Sequence, residues 1–175
     1  MRKNKRHIFD FDNTIMLTDV LNNEAYNYAL ETVGLKPITD RKRITREIVF
    51  HEHSEIDEQQ RAKIINLKQM YFIENLSKCI PNASMMRLLK EQNPERCLLW
   101  TSAEKVRVLS TLNYYSIQDS FKAFLYSNKT DLRHDIRKIC EIMKCDISDL
   151  VFYEDSHKTI NYLNEVGAKV ISVNE

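Results

Sequence analysis

Short apolar runs alternate along this chain with stretches in which apolar residues recur at helical spacing. Apolar runs of strand length predict five strands, over residues 7–11, 96–101, 122–126, 150–154 and 169–173. Helical patterns long enough for crossover connections lie between the last four strands, over residues 103–113, 131–143 and 156–166. The alternation predicts an α/β fold with a parallel sheet flanked by helices.

The interval from Thr18 to Ile80 has a different pattern, with apolar residues at helical spacing and no convincing strand. Pro37 and Pro81 interrupt it, and Asn82 is a suitable cap for a helix over residues 83–92. We therefore predict a core domain formed by residues 1–18 and 80–175. A helical domain of residues 19–79 is inserted after the first strand.

Composition narrows the class of partner. The 175 residues include 26 basic and 25 acidic side chains, for a formal net charge of +1. No overall field favours nucleic acid or an anionic membrane, so we expect a small-molecule partner, no nucleic acid and no membrane. The basic segment of residues 2–6 is interpreted as a solvated arm, with weak phosphate or RNA contact left open.

Features that the sequence lacks limit where we expect the protein to be located and how it could bind phosphate. No apolar run approaches the 18 residues of a membrane span, and the four cysteines show no CxxC spacing. We expect a cytoplasmic protein with free thiols. The two glycines, Gly34 and Gly167, cannot build a Walker loop or a dinucleotide turn, and we predict that both end helices in a left-handed conformation.

Two carboxylates, Asp10 and Asp12, close the first predicted strand. Residues two apart in a strand face the same side, so these acids could converge on one small volume. Two interpretations fit equally well: a site for a hard cation such as Mg²⁺, or an acidic turn solvated by water.

Three further signals follow predicted strands. Thr101 ends one strand, where it could bind a ligand or cap the next helix. Lys129 precedes a helix start and could be a site residue or a solvated loop lysine. Glu154 and Asp155 end another strand, where they could bind a metal or complement a helix dipole.

The order DxDxT, strand-Thr, Lys before a helix and strand-Glu-Asp resembles the haloacid dehalogenase-like (HAD) superfamily. The stretch FDFDNTIMLTDVLNNEAYNYALETVG is similar to the branch of phosphoglycolate phosphatase and β-phosphoglucomutase. This resemblance implies a Rossmann-like core with a small all-helical C1-type cap. One departure is Lys129-Thr130, where this branch commonly has Lys-Pro.

The resemblance also implies a role for each site residue. Asp10 would be the nucleophile that becomes an aspartyl-phosphate, and Asp12 would be the general acid and base. Thr101 and Lys129 would bind the transferring phosphoryl oxygens.

The implied cofactor is Mg²⁺. Asp10, the backbone carbonyl of Asp12, and Asp155 would hold the ion, while Glu154 would act through a metal-bound water. Haloacid dehalogenases themselves lack the second acid, since a halide leaving group needs no proton, so Asp12 favours phosphoryl transfer. The expected function is hydrolysis of a small phosphorylated metabolite; the alternatives are a phosphomutase, or a binding or regulatory module with negligible turnover.

Substrate specificity is expected in the insertion. Positive charge is concentrated there at Arg41, Lys42, Arg43 and Arg46. They form either a solvated helix face or a site in which Arg43 or Arg46 contacts the leaving group of the substrate as the cap closes over Asp10. His51-Glu52-His53 could ligate a transition metal, but two histidines without a further placed ligand more often have no such role.

Overall fold

The computed structural model describes residues 5–173 of the chain. It divides into two compact units, which we call the core unit (Met1–Met16 and Pro81–Glu175) and the insertion (Leu17–Ile80). The strands are β1 (Arg6–Phe9), β2 (Met16–Leu17), β3 (Ile80–Pro81), β4 (Cys97–Thr101), β5 (Ala123–Tyr126), β6 (Leu150–Glu154) and β7 (Lys169–Ser172). The helices are α1 (Asp19–Thr32), α2 (Arg46–Glu52), α3 (Glu58–Glu74), α4 (Ala83–Glu91), α5 (Lys105–Tyr114), α6 (Leu132–Met143) and α7 (His157–Glu165).

The core unit is built on a five-stranded parallel sheet in the order β5-β4-β1-β6-β7. All five predicted strands are present, and the predicted α/β parallel fold is confirmed. The first strand in the chain lies at the centre, with β4 and β6 on either side of it. Because parallel strands end at the same edge of a sheet, this order brings the ends of β1, β4 and β6 together.

The strands β4 and β6 are buried along their whole length, as expected for the inner strands of a parallel sheet with helices on its faces. Alternate residues of the strands, including Ile8, Trp100 and Phe152, pack against α6 and α7 in one apolar cluster. The intervening residues face the other way, where the rings of Phe9 and Tyr153 stack at 4.7 Å. This packing fixes the positions of the strand ends.

The strands β2 and β3 pair where the chain passes between the two units. The sequence did not predict them, because two residues cannot display a strand period. The predicted helix after Asn82 is present, and the Asn82 side chain accepts hydrogen bonds from the backbone N–H groups of Ser84 and Met85.

The insertion is a helical unit with a core of its own, where α1 packs against α3. Side-chain caps define its helices: Thr45 begins α2, and Asp57 forms a reciprocal capping box with Gln60 at the start of α3. Gly34 has φ +78° and Gly167 in the core unit has φ +73°, so both adopt the predicted left-handed conformation.

The two ends of the chain are described only in part. Residues 2–4 of the predicted basic arm lie outside the described residues, whereas the Lys5 ammonium donates a hydrogen bond of 2.7 Å to the carbonyl of Ser148. Within residues 5–173, no helix is both long enough and apolar enough to cross a bilayer.

Candidate active site at the carboxyl ends of three strands

The candidate site lies where β1, β4 and β6 end side by side. Asp10 follows β1, Thr101 is the last residue of β4, and Glu154 is the last residue of β6. The Asp10 backbone N–H donates to the carbonyl of Tyr153 at 3.0 Å, which extends the pairing of β1 with β6 by one residue. The parallel sheet therefore brings together three polar side chains that are far apart in sequence.

Lys129 links two of the carboxylates. Its Nζ lies 2.7 Å from Asp10 Oδ1 and 2.7 Å from Glu154 Oε2, and all three side chains are almost completely buried. The lysine comes from the loop between β5 and α6, where its backbone has φ +52°. This left-handed conformation is uncommon for a lysine, and the buried ion pairs favour it here.

Hydrogen bonds among Ser127, Asp135 and Trp100 hold the loop of Lys129 in place. Ser127 Oγ donates to Asp135 Oδ2, and the Trp100 indole N–H is shared between these two side chains at 3.1 and 3.2 Å. Ser127 Oγ also accepts the backbone N–H of Lys129 at 3.3 Å, and Lys129 Nζ lies 4.5 Å from the centroid of the Trp100 ring. The ring contact adds a cation–π attraction to the hydrogen bonds that orient the ammonium.

Three acids could share one metal ion. Asp10, Glu154 and Asp155 each offer a carboxylate oxygen, and these oxygens all lie within 4.8 Å of one another. Glu154 Oε1 also accepts the backbone N–H groups of Asp155 and Ser156, at 3.1 and 3.0 Å. In the described part of the chain this is the one group of three metal-ligating side chains that meets this distance.

The Asp12 carboxylate is not part of that acidic group, which differs from the interpretation in which Asp10 and Asp12 converge on one small volume. Its two oxygens instead bind Arg107, at 2.8 Å for Nη1 to Oδ1 and 2.7 Å for Nη2 to Oδ2. Glu154, expected to act only through water, takes the third place in the group. The role suggested for the Asp12 backbone carbonyl stays a prediction.

Burial sets the electrostatics of the acidic group. The pKa of Asp10 is raised to about 8: loss of solvent raises it most, the charge and hydrogen bond of Lys129 oppose the rise, and the nearby charge of Glu154 adds to it. Burial by itself would lower the pKa of Lys129, but the charges and hydrogen bonds of Asp10 and Glu154 raise it above its usual value. If both acids were ionised, the one buried ammonium would face two buried carboxylates.

The residues of this group fit a divalent cation. Mg²⁺ takes carboxylate oxygens as ligands, and a second positive charge would allow Asp10 to remain ionised at neutral pH. Asp10 and Asp155, with Glu154 beside them, supply oxygens at the required spacing. The structural observation that supports this fit is that two buried carboxyl groups, those of Asp10 and Glu154, share a single ammonium.

Thr101 is buried at the end of β4, and its hydroxyl oxygen accepts the backbone N–H of Ala103 at 3.0 Å. The contact resembles the capping interaction anticipated for this residue, although α5 begins only at Lys105. A hydroxyl that accepts one hydrogen bond still has its own proton to donate. Thr101 is therefore able to bind an anionic oxygen while it stabilises the turn.

Sequence reasoning missed Arg107, Ser127 and Asp135. Arg107 lies between two valines in α5, and Asp135 lies in the first turn of α6; both are 5% exposed. A charged residue on the apolar face of a helix was the available signal, since such residues are rarely buried unless they are paired. For Ser127 the sequence offered no signal.

The predicted substrate residues of the insertion, Arg43 and Arg46, belong to the other unit. Arg43 Nε lies 3.4 Å from Asp19 Oδ1, and asparagines of α1 hold the loop before α2 through paired hydrogen bonds to its backbone. His53 is buried with Nε2 3.0 Å from the carbonyl of Lys36, so its role is structural, whereas His51 is exposed.

Comparison with known proteins shows the family of the chain. The family model described as haloacid dehalogenase-like hydrolase matches residues 7–173. No curated protein matches the sequence.

Several solved structures share the fold. A predicted phosphoglycolate phosphatase from Haemophilus somnus 129pt has a TM-score of 0.81 at 16% identity, over 98% of this chain and 86% of that chain. A HAD-superfamily hydrolase of subfamily IA from Geobacter sulfurreducens PCA has a TM-score of 0.71 at 14% identity, over 96% and 86% of the two chains. A predicted phosphatase from Clostridium acetobutylicum has a TM-score of 0.67 at 16% identity, over 96% and 94%.

Proposed function

This chain belongs to the haloacid dehalogenase-like hydrolase family, and we propose that it is a Mg²⁺-dependent phosphatase acting on a small phosphate monoester through an aspartyl-phosphate intermediate. One observation carries the proposal: Asp10 is buried at a strand end, 2.7 Å from the Lys129 ammonium and beside two further acids. A carboxylate in such a position can act as a nucleophile toward a phosphoryl group, because the cations beside it balance the charge of the substrate.

In the first half of the reaction, an Asp10 oxygen attacks phosphorus in line with the ester oxygen. The bond from phosphorus to the ester oxygen breaks, and that oxygen takes a proton from the Asp12 carboxyl group. Lys129 and the Thr101 hydroxyl donate hydrogen bonds to the transferring phosphoryl oxygens, which carry the developing charge. The products of this half are the alcohol and an aspartyl-phosphate on Asp10.

In the second half, water attacks the phosphorus of the aspartyl-phosphate while the Asp12 carboxylate takes a proton from that water. The bond between phosphorus and Asp10 breaks, which restores the Asp10 carboxylate and releases inorganic phosphate. Asp12 thus returns to its protonated state for the next cycle.

Bound Mg²⁺ would be held by Asp10 and Asp155, with Glu154 beside them, and would supply electrostatic stabilisation of the anionic substrate. The set of site residues also favours catalysis over simple binding of phosphate. A module that only binds phosphate has no use for an acid such as Asp12, so the complete set of Asp10, Asp12, Thr101, Lys129 and Asp155 favours turnover over a binding or regulatory role.

The test is a screen of phosphorylated metabolites and p-nitrophenyl phosphate, with Mg²⁺ and with a chelator. Release of inorganic phosphate that requires Mg²⁺ supports the proposal. Transfer of phosphate to another position of the substrate without release would assign the phosphomutase instead. Binding of phosphate esters without either reaction would assign the binding module.

A further inference from the structure

Arg107 makes a two-point contact with Asp12, the general acid and base of the proposed reaction. The arginine lies in the first turn of α5 with its side chain 6% exposed, and each terminal nitrogen donates to a different oxygen of the Asp12 carboxylate, at 2.8 and 2.7 Å. Its guanidinium carbon also lies 5.6 Å from the centroid of the Phe11 ring. The guanidinium is thus held by a carboxylate on one side and by an aromatic ring close by.

Two parallel hydrogen bonds determine the plane of a carboxylate as well as its position. A single bond allows rotation about the axis through the carboxyl carbon, whereas a bidentate contact with a planar guanidinium prevents it. The orientation of Asp12 is therefore set by a residue 95 positions later in the chain.

Stability of the fold gives little reason for this pair. A buried ion pair contributes weakly, because the loss of hydration of both charges opposes their attraction. The helix that carries Arg107 is already anchored in the core by Val108 and Leu112, which are completely buried. An arginine buried at this point is better explained by what it does to Asp12.

We propose that Arg107 is a positioning residue that holds the Asp12 carboxyl group in the orientation required for proton transfer with the ester oxygen and then with water. This inference rests on the proposed phosphatase function. Arg107 stays protonated throughout: the proton moves from Asp12 to the leaving oxygen in the first half and from water to Asp12 in the second. When Asp12 carries the proton, one of its oxygens still accepts from Arg107 and the other presents its O–H.

The leaving group distinguishes this role from a purely structural one. Phenyl phosphate and p-nitrophenyl phosphate are similar in size, but nitrophenolate is the more stable anion and needs the proton less. Formation of the aspartyl-phosphate determines kcat/KM, so a badly oriented acid should lower kcat/KM more for phenyl phosphate than for p-nitrophenyl phosphate. A general loss of folded protein would lower both equally.

The experiment measures kcat/KM for both esters, with Mg²⁺, in the wild type, Arg107→Gln, Asp12→Asn and the double variant. We expect Arg107→Gln to lower kcat/KM for phenyl phosphate by roughly tenfold more than for p-nitrophenyl phosphate, and to have no further effect in the Asp12→Asn background. Arg137→Gln removes an exposed arginine from α6 and is the matched control.

Each other outcome is decisive. Equal losses for both esters, or the same loss from Arg107→Gln with and without the Asp12 carboxylate, would overturn the positioning role. If Arg107→Gln does not fold, as judged by circular dichroism, Arg107→Lys keeps the charge but cannot bind both oxygens, and the same leaving-group difference is expected from it. A wild type that releases phosphate neither from these two esters nor from any ester of the metabolite screen refutes the proposed function and this inference with it.

Discussion

The core unit and the insertion use charged residues in different ways. At the strand ends of the core unit, Asp10, Lys129 and Glu154 are buried, and Lys129 and Glu154 each contact more than one partner. Two ion pairs of the insertion lie at the surface. Lys78 contacts Glu24 at 2.8 Å and Arg41 contacts Glu52 at 3.1 Å, and all four side chains are at least 40% exposed. Lys68 of α3 is an exception, buried over the rings of Tyr26 and Phe72.

This difference in the burial of charged residues indicates in which unit we expect the chemistry. Surface ion pairs contribute about 0–1 kcal/mol and can change with little effect on the fold. Buried charges carry a large desolvation cost, so a protein retains them where their charge is used. We therefore expect changes in the core unit to affect every substrate, and changes among the exposed cations of the insertion to affect the choice between substrates.

The largest expected effect is the loss of the nucleophile. Asp10→Asn should keep the fold and lower turnover of p-nitrophenyl phosphate by about four orders of magnitude or more, because a neutral amide cannot attack phosphorus. Asp119→Asn is the control, since it makes the same chemical change at an exposed acid that is not one of the site residues. A rate near that of the wild type in Asp10→Asn would rule out the aspartyl-phosphate mechanism.

The next effect compares a buried lysine directly with a surface lysine. Lys129→Met should lower turnover of all esters alike by about 10²- to 10³-fold and destabilise the protein by about 3 kcal/mol, because two buried acids lose their counter-charge. Lys78→Met in the insertion should destabilise the protein much less, because its ion pair with Glu24 is exposed to solvent. Denaturant unfolding of both variants measures the difference.

Equal destabilisation by Lys129→Met and Lys78→Met would remove the contrast between the two units.

A third prediction concerns Mg²⁺ and pH. Burial raises the pKa of Asp10 from 3.8 to about 8, so the folded metal-free protein keeps a proton that the unfolded chain releases. The stability linked to this proton is complete below about pH 4 and is lost as the pH rises through about 8. Mg²⁺ must displace the proton, so its stabilising effect should grow as the pH rises from about 6 to about 9.

Thermal unfolding at several pH values, with Mg²⁺ and with a chelator, measures this effect. At a Mg²⁺ concentration 100 times its Kd, the stabilisation should reach about 2.7 kcal/mol. Asp155→Ala should weaken the response to Mg²⁺, and Asp10→Asn should remove its pH dependence, whereas Asp119→Asn should retain both. A Tm that ignores Mg²⁺ in the wild type at every pH would show that the acidic group does not bind this ion.

The smallest effect is expected in the insertion. Arg43→Ala and Arg46→Ala should alter stability by about 0.5 kcal/mol or less, and should change KM by different factors for chemically distinct esters. The exposed Lys63 of α3 provides the control variant, Lys63→Ala. If relative preferences for at least two esters do not change, the cations form a solvated face, and specificity lies elsewhere in residues 15–80.

Much of the fold could be predicted because its signals are local. The strand β6, for example, is a run of five buried residues, and its apolar character is visible in the sequence LVFYE. The helix ends at Gly34 and Asn82 follow equally local rules of backbone conformation and capping. The strands β2 and β3 could not be predicted, because two residues show no local pattern and only their pairing in the folded chain defines them.

The sequence by itself determined the α/β alternation, the acids after the first and sixth strands, and the lysine before α6, because each depends on neighbours within a few residues. Tertiary structure alone decided which acids meet. The strand order places Glu154 beside Asp10. The packing of α5 brings Arg107 to Asp12, so the Asp12 carboxylate lies in an ion pair and not in the acidic group. These contacts span long intervals of sequence, and no local pattern records them, because a side chain's partner depends on which elements the folded core places next to it.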